Sequence, residues 1–267
     1  MIELFHSLFT TPIVNVIVLF YKLLLAINVP YALGFAVIVM TIVMKLLLYP
    51  LMSAQIKSAK KMQDLAPDLA KIKDKYKKDK TRQQQEMMKL YKEKNINPAS
   101  GCLPVLLQFP ILIGLYQALT KLITIESPDA IEKINSTLYS SFLHLDKAWT
   151  ADFFGISLSH SPSSMFASAP WIVIVPLITA LTQFILSKMM MSANPQPKKD
   201  KDDFQSAIQT QSLFIFPIMI GWFSFTLPFG LSLYWNTFTI FGILQQYHLV
   251  GLGGLTPWVH KIRNHGK

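Results

Sequence analysis

The sequence predicts an all-α polytopic membrane protein: five transmembrane helices around a hydrophilic groove, with an N-terminal interfacial helix and a cytoplasmic helical hairpin. Three observations predict it. First, 51% of the 267 residues are hydrophobic and only 15% are charged, against about 25% charged in soluble domains. Mean hydropathy is +0.36. Second, apolar runs recur near the roughly 20 residues that a spanning helix needs. Third, the segments between them differ in charge. Residues 54–100 hold thirteen Lys/Arg against six Asp/Glu, and residues 125–165 hold two against five.

Each element follows in turn. Residues 1–30 contain an apolar stretch, Ile13 to Ile27, broken by Asn15, Tyr21 and Lys22. No basic region precedes it and no small-residue cleavage site follows, which argues against a cleaved signal peptide. The stretch is short for a span and reads as an amphipathic helix in the interface. Residues 31–53 form the first span, followed by spans at 101–124, 166–191, 209–227 and 228–250. Pro104, Pro110, Pro170, Pro176 and Pro217 fall inside these runs. Membrane helices tolerate proline where neighbours satisfy the freed carbonyls. Leu227-Pro228-Phe229-Gly230 marks a tight turn between the last two.

Basic loops face the cytoplasm. That places 54–100 inside, the 125–165 loop outside, the 192–208 loop inside and the basic 251–267 tail inside. The N-terminus is then outside and the C-terminus cytoplasmic. Within 54–96, Met62, Leu65, Leu69, Ile72 and Tyr76 recur at helical spacing, and Met87, Leu90 and Tyr91 form a second stripe. A break near Asp79 folds the two into a helical hairpin, and Asn97-Pro98 ends it.

Lys45 is the charge inside the first span. A cation there is costly and often functional, although a lysine stem can also snorkel toward a helix end. Thr41, Lys45 and Tyr49 share one helical face. Thr179, Thr182, Gln183 and Ser187 share another, and Ser232, Asn236, Thr239 and Gln246 a third, beside Tyr234 and Trp235. Gln108 stands in the second span, with Tyr116 eight residues on. Any one of these fits a helix–helix hydrogen bond. Three polar stripes and a lysine together fit a water-containing cavity better.

Enzyme chemistry finds no support. His6, His144, His160, His248, His260 and His265 all lie at ends or in loops. HExxH, GxSxG and Walker patterns are absent from the sequence. No metal site or cofactor is expected. The single cysteine, Cys102, excludes an intrachain disulfide and reads as structural. The basic segment points to orientation and anionic lipid rather than to specific nucleic-acid binding.

The residues resemble the YidC-type membrane protein insertases, with their mitochondrial and chloroplast homologues. One block comprises Lys57-Ser58, Met62-Gln63, Pro67, Lys75-Tyr76-Lys77, Asp79, Glu86-Met87 and Leu90-Tyr91-Lys92. It continues through Asn97-Pro98, Gly101-Cys102-Leu103-Pro104 and Gln108-Phe109-Pro110. A second block is Pro228-Phe229-Gly230-Leu231, Leu233-Tyr234-Trp235 and Gln245-Gln246. The resemblance implies a groove open to the cytoplasm and the lipid, and a bacterial cytoplasmic membrane location. It places Lys45 where the family usually has arginine, and Gln108, Gln183 and Trp235 on or near groove positions. Phe238 and Thr239 stand where the family more often has asparagine.

The implied activity is insertion and folding of membrane proteins, with no bond made or broken. Lys45, Thr41, Gln108, Thr179, Gln183, Tyr234 and Trp235 are the expected groove residues. Met62, Tyr76, Met87 and Tyr91 are the expected hairpin residues. Nascent membrane proteins and anionic lipid are the expected partners, with the ribosome and the Sec translocon as candidates. A small-anion transporter or channel, or an assembly scaffold without insertion activity, stands as the alternative.

Overall fold

The computed structural model describes residues 2–96, 103–123, 128–147, 149, 151–192 and 211–265. Asn97-Pro98, Gly101-Cys102 and nearly all of the 192–208 loop lie outside them. The chain divides into two compact units. The first comprises Met1–Leu47, Val105–Leu181 and Ile218–Phe241; the second comprises Leu48–Pro104, Thr182–Pro217 and Gly242–Lys267.

Helices dominate both units. The first unit begins with Ile2–Phe5, a π-helical turn at His6–Thr10, and the helix Thr11–Ala26. Pro12 lies in the first turn of the last, where its missing N–H is harmless. The Ala32–Leu47 helix buries Leu33, Ala36, Val37 and Met40, spaced as one helical face requires. Leu115, Ala118, Leu119 and Leu122 of the Leu103–Ile123 helix repeat that spacing, and both stripes enter one core with Ile17, Val18 and Tyr234. Lipid tails are as apolar as leucine, so close packing rather than water exclusion holds such helices together in a bilayer.

Glu3–Ala26 and Pro170–Met189 are long and apolar enough to cross a membrane. Ala32–Leu47 with Tyr49–Asp64 would make a third as one broken span, and Leu213–Thr226 is shorter. Phe229–Val250 runs 22 residues. Two features depart from the sequence reading. Residues 31–53 do not form one straight helix: it ends at Leu47, and a new one starts at Tyr49 with Pro50 in its first turn. A proline lacks the N–H that would continue the ladder and clashes with the preceding turn. The N-terminal helix, in turn, is longer than its interrupted apolar run suggests, so length and composition no longer single out an interfacial position.

The polar breaks in that helix are all occupied. Asn15 donates from Nδ2 to the carbonyls of Thr11 (2.9 Å) and Thr137 (3.2 Å), and its Oδ1 accepts from the Tyr139 N–H (2.7 Å). Lys22 donates to the carbonyls of Phe142 (2.6 Å) and His144 (2.7 Å). Tyr21 packs edge-on against Trp149 with ring centroids 4.5 Å apart. Trp149 donates its indole N–H to the Leu122 carbonyl at 2.7 Å. The N–H groups of Phe229 and Gly230 donate to the carbonyls of His160 (2.9 Å) and Leu158 (3.0 Å). The segment after residue 128 is therefore docked on one end of the first unit.

The second unit holds helices Ala66–Lys75 and Lys80–Glu93, joined at 76–79. Asp79 caps the second of them, accepting from the Arg82 N–H at 2.9 Å. Leu65, Leu69, Tyr91 and Ile96 form their core, flanked by Met62, Met87 and Leu90. The residues after Val250 form a 3-10 turn, Gly253–Leu255, and the helix Thr256–His265. A Cβ at Gly253 would lie within 1.9 Å of the Met189 carbonyl oxygen, so only glycine fits that approach.

Candidate functional site

Lys45 lies in the last turn of the Ala32–Leu47 helix and is 4% exposed. Its ammonium sits 3.5 Å from the Phe238 ring centroid and 5.8 Å from that of Phe241. Both rings belong to the Phe229–Val250 helix, whose first residues carry the docked segment's carbonyls. The amine is thus nearer the ring closer to that covered end. Helical side chains lean toward their own N-terminus, which for this helix is the end beside the docked segment. Lys45 accordingly reaches inward along the unit, not outward past Leu47, and this geometry disfavours the snorkel. Among the described residues no carboxylate pairs with it. A desolvated cation over an aromatic face gains about 2 kcal/mol or more.

The contacts continue from there. The Phe238 and Tyr234 rings are 5.8 Å apart. Gln108 donates from Nε2 to the Tyr234 hydroxyl at 2.6 Å, and Tyr234 is 1% exposed. Gln108, Tyr234, Phe238 and Lys45 thus form one connected series from three helices. Trp235 is half-buried beside it. Thr41 is fully buried and donates to the Val37 carbonyl at 2.6 Å, one turn back on its own helix.

A second polar group joins three helices. Thr179 and Ser224 hydroxyls lie 3.0 Å apart, and those of Ser224 and Ser232 2.8 Å apart. Asn236 donates to the Thr179 hydroxyl at 2.7 Å and to the Ser232 carbonyl at 2.9 Å. Thr179, Ser224 and Ser232 are all buried. These bonds are interhelical ties, the alternative that each stripe allowed. Gln183 is buried and belongs to the second unit.

In the hairpin, Met62, Met87 and Tyr91 spend their apolar surface on one another's helices. Burial pushes the Tyr91 phenol up. Tyr76 lies at the turn, with Lys75 Nζ and Arg82 Cζ 5.4 and 5.5 Å from its ring centroid. Sequence reasoning passed over Phe238, Phe241 and Ser224 as site residues. Phe238 and Phe241 share a face with Tyr234 (i, i+4, i+7), a signal that was present but reads as ordinary packing. Ser224 is a lone serine in its helix face and carries no comparable signal.

The 60Kd inner membrane protein family profile matches residues 24–251. The chain belongs to that family. Among relatives of this 60Kd-type chain, the inner membrane protein ALBINO3, chloroplastic, of Arabidopsis thaliana is 33% identical over 246 residues, covering 87% of this chain and 49% of the relative. The membrane protein insertase YidC of Rickettsia conorii is 33% identical over 221 residues, covering 81% and 35%. Membrane protein insertase YidC 1 of Listeria monocytogenes is 35% identical over 221 residues, covering 80% and 63%. The chain therefore spans between about a third and two thirds of the length of these relatives. A crystal structure of an active YidC insertase with its first transmembrane domain resolved superposes with a TM-score of 0.56 at 26% identity, covering 92% of this chain and 46% of that one. The 60Kd-type family assignment and the helical, apolar character of the chain agree.

Proposed function

We propose that this chain inserts nascent hydrophobic segments into the bilayer through a hydrophilic groove open to the cytoplasm, alone or beside a translocon. The observation that carries this reading is Lys45: a buried cation held over Phe238 with no carboxylate among the described residues to neutralise it. The names of the relatives, membrane protein insertases among them, point the same way.

Five spans surround the groove, and the basic hairpin lies in the cytoplasm. A substrate with a short acidic outer tail meets the hairpin first. The tail then enters beside Lys45, Gln108 and Trp235, which replace part of its water. A charge at the bilayer centre costs at least about 2.5–3.5 kcal/mol, and an opposite charge partway across lowers that barrier. Burial of the substrate's apolar surface drives the final step. No covalent chemistry is involved. The protein lies in a bacterial cytoplasmic membrane as a multi-pass chain, with the N-terminus and the 125–165 loop outside and the C-terminus in the cytoplasm.

The test is insertion of a short acidic-tailed single-span protein into liposomes that contain only this protein. Lys45→Arg is expected to retain insertion and Lys45→Ala to lose most of it for acidic tails. Equal insertion by both variants would remove Lys45 from the mechanism. Anion flux that depends on Lys45, without insertion, would replace the reading with a transporter.

A further inference from the structure

Four described non-glycine residues adopt positive φ: Asn28 (55°), Tyr31 (57°), Asn95 (52°) and Phe154 (50°). Two are asparagines, which tolerate the left-handed region. The other two are aromatic, and for a bulky side chain that conformation is strained. These two strained residues stack on each other, with ring centroids 4.7 Å apart. Both remain exposed, Phe154 at 64% and Tyr31 at 39%.

The local fold is built to hold them there. Asp152–Phe153 and Ile156–Ser157 pair as an antiparallel hairpin with a two-residue turn, Phe154-Gly155. Both turn residues have positive φ. Such a turn favours Asn-Gly or Asp-Gly, and phenylalanine takes the asparagine position. Phe153 lies flat on the Ala32–Leu47 helix. A Cβ at Gly34 would come within 2.0 Å of the Phe153 ring, so the missing side chain is the slot that seats it. Phe35 packs edge-on against Phe153 at 5.3 Å. The seat fixes the hairpin, and the strained turn aims the next ring outward.

We propose that Phe154 and Tyr31 form a lipid anchor at the outer membrane–water boundary. The level decides the occupant. Tyr31 immediately precedes the apolar Ala32–Leu47 helix, and Phe35 lies in its first turn. If that helix lies in the bilayer, the aromatic pair stands at its edge, where amphipathic and aromatic rings are favoured. The inference thus rests on the spanning reading given above. Phe154 touches the Tyr31, Phe153 and Phe35 rings at 4.7, 4.9 and 6.3 Å, yet these contacts leave 64% of it exposed, so the strained turn holds an uncovered aromatic face outward, as a site for an outside partner does.

Nitroxide labels in proteoliposomes test it, in a Cys102→Ser background with single cysteines at Phe154, Leu177 and Asp146. Leu177 is an exposed apolar residue of the Ile174–Met189 helix, and Asp146 is an exposed polar control. The label at 154 is expected to meet oxygen several-fold more readily, relative to a water-soluble nickel complex, than the label at 146. Accessibility like that at 146 would place the ring in water and overturn the anchor while leaving the spanning reading intact, provided 177 is lipid-exposed. Poor access to both reagents would mean that a protein or a second copy covers the ring, and would also overturn it. An aqueous label at 177 would overturn both readings. Phe154→Asn supplies a second check. Relief of strain should offset the lost ring contacts, leaving the melting temperature within a few degrees. A fall above about 5 °C, more than relief of strain leaves room for, would make the ring part of the packing and refute the proposal.

Discussion

Lys22 and Lys45 are both lysines in apolar helices of the same unit, and their surroundings differ. Lys22 is half-exposed, and two backbone carbonyls take its protons at 2.6 and 2.7 Å. Lys45 is buried, and its nearest described partner is the face of Phe238 at 3.5 Å. Carbonyl bonds are directional and fix a segment in place. An aromatic face holds a cation without using up its donors. The first lysine serves the fold, and the second is the one on which the proposed insertion mechanism rests.

The largest expected effect separates the two directly. Lys45→Met keeps the volume and removes the charge. Insertion of an acidic-tailed substrate should fall by up to about 400-fold, from the roughly 2.5–3.5 kcal/mol cost of an unpaired membrane charge. Melting temperature should hold or rise, because the cost of desolvating the buried charge offsets its gain over the Phe238 face. A large loss of stability with equal loss for neutral tails would break the comparison.

Lys22→Met should do the reverse. Hydrogen bonds to charged groups contribute about 1.5–3 kcal/mol in favourable cases, and half-exposure reduces that here. The segment at 136–147 should become easier for a protease to cut, while insertion per folded molecule stays unchanged. Asn15→Leu attacks the same docking. It removes partners from the Thr137 carbonyl and the Tyr139 N–H, at about 1–3 kcal/mol for buried groups left unmade. Thermal unfolding with parallel insertion assays would check that only stability moves.

Phe238→Leu sharpens the other half of the comparison. It should lower acidic-tail insertion several-fold, with Phe238→Trp restoring it, since Trp presents the strongest face to a cation. The smallest effect is expected at the interhelical tie. Thr179→Val removes hydroxyl contacts to Ser224 and Asn236, and such membrane bonds average about 0.6 kcal/mol. A double-mutant cycle of Thr179→Val with Asn236→Leu would read the coupling.

The legible and the hidden parts of this molecule divide along physical lines. Apolar length and helical spacing give the helices, because backbone groups in lipid must be satisfied within each segment. Lys45 stands out for the same reason, as the charge that such a segment should exclude. Gln108 and Tyr234 were also legible as polar residues on spanning faces. Their mutual bond was not, since spacing shows which face is polar but not which faces meet across 126 residues. Phe238 was hidden because an apolar ring in an apolar helix needs no explanation until a cation is seen over it. The stripe with Thr179 and the separate stripe with Ser232 and Asn236 were legible as polar, but Ser224, which joins them, is an isolated serine. Pro50 was visible, yet membrane helices often keep a proline without breaking. The docking of the segment after residue 128 was legible only as interruptions, Asn15, Tyr21 and Lys22, which meet residues more than a hundred positions away.

Those distant partners set a schedule for the protein's own birth. Lys22 leaves the ribosome about 120 residues before the carbonyls of Phe142 and His144. At 5–20 residues per second that is a wait of roughly 6 to 25 s. Throughout it the Lys22 amine has no native acceptor in existence, and the Asn15 amide has only the Thr11 carbonyl of its own helix. A newly made copy must therefore keep that amine solvated or sheltered until its own middle is made.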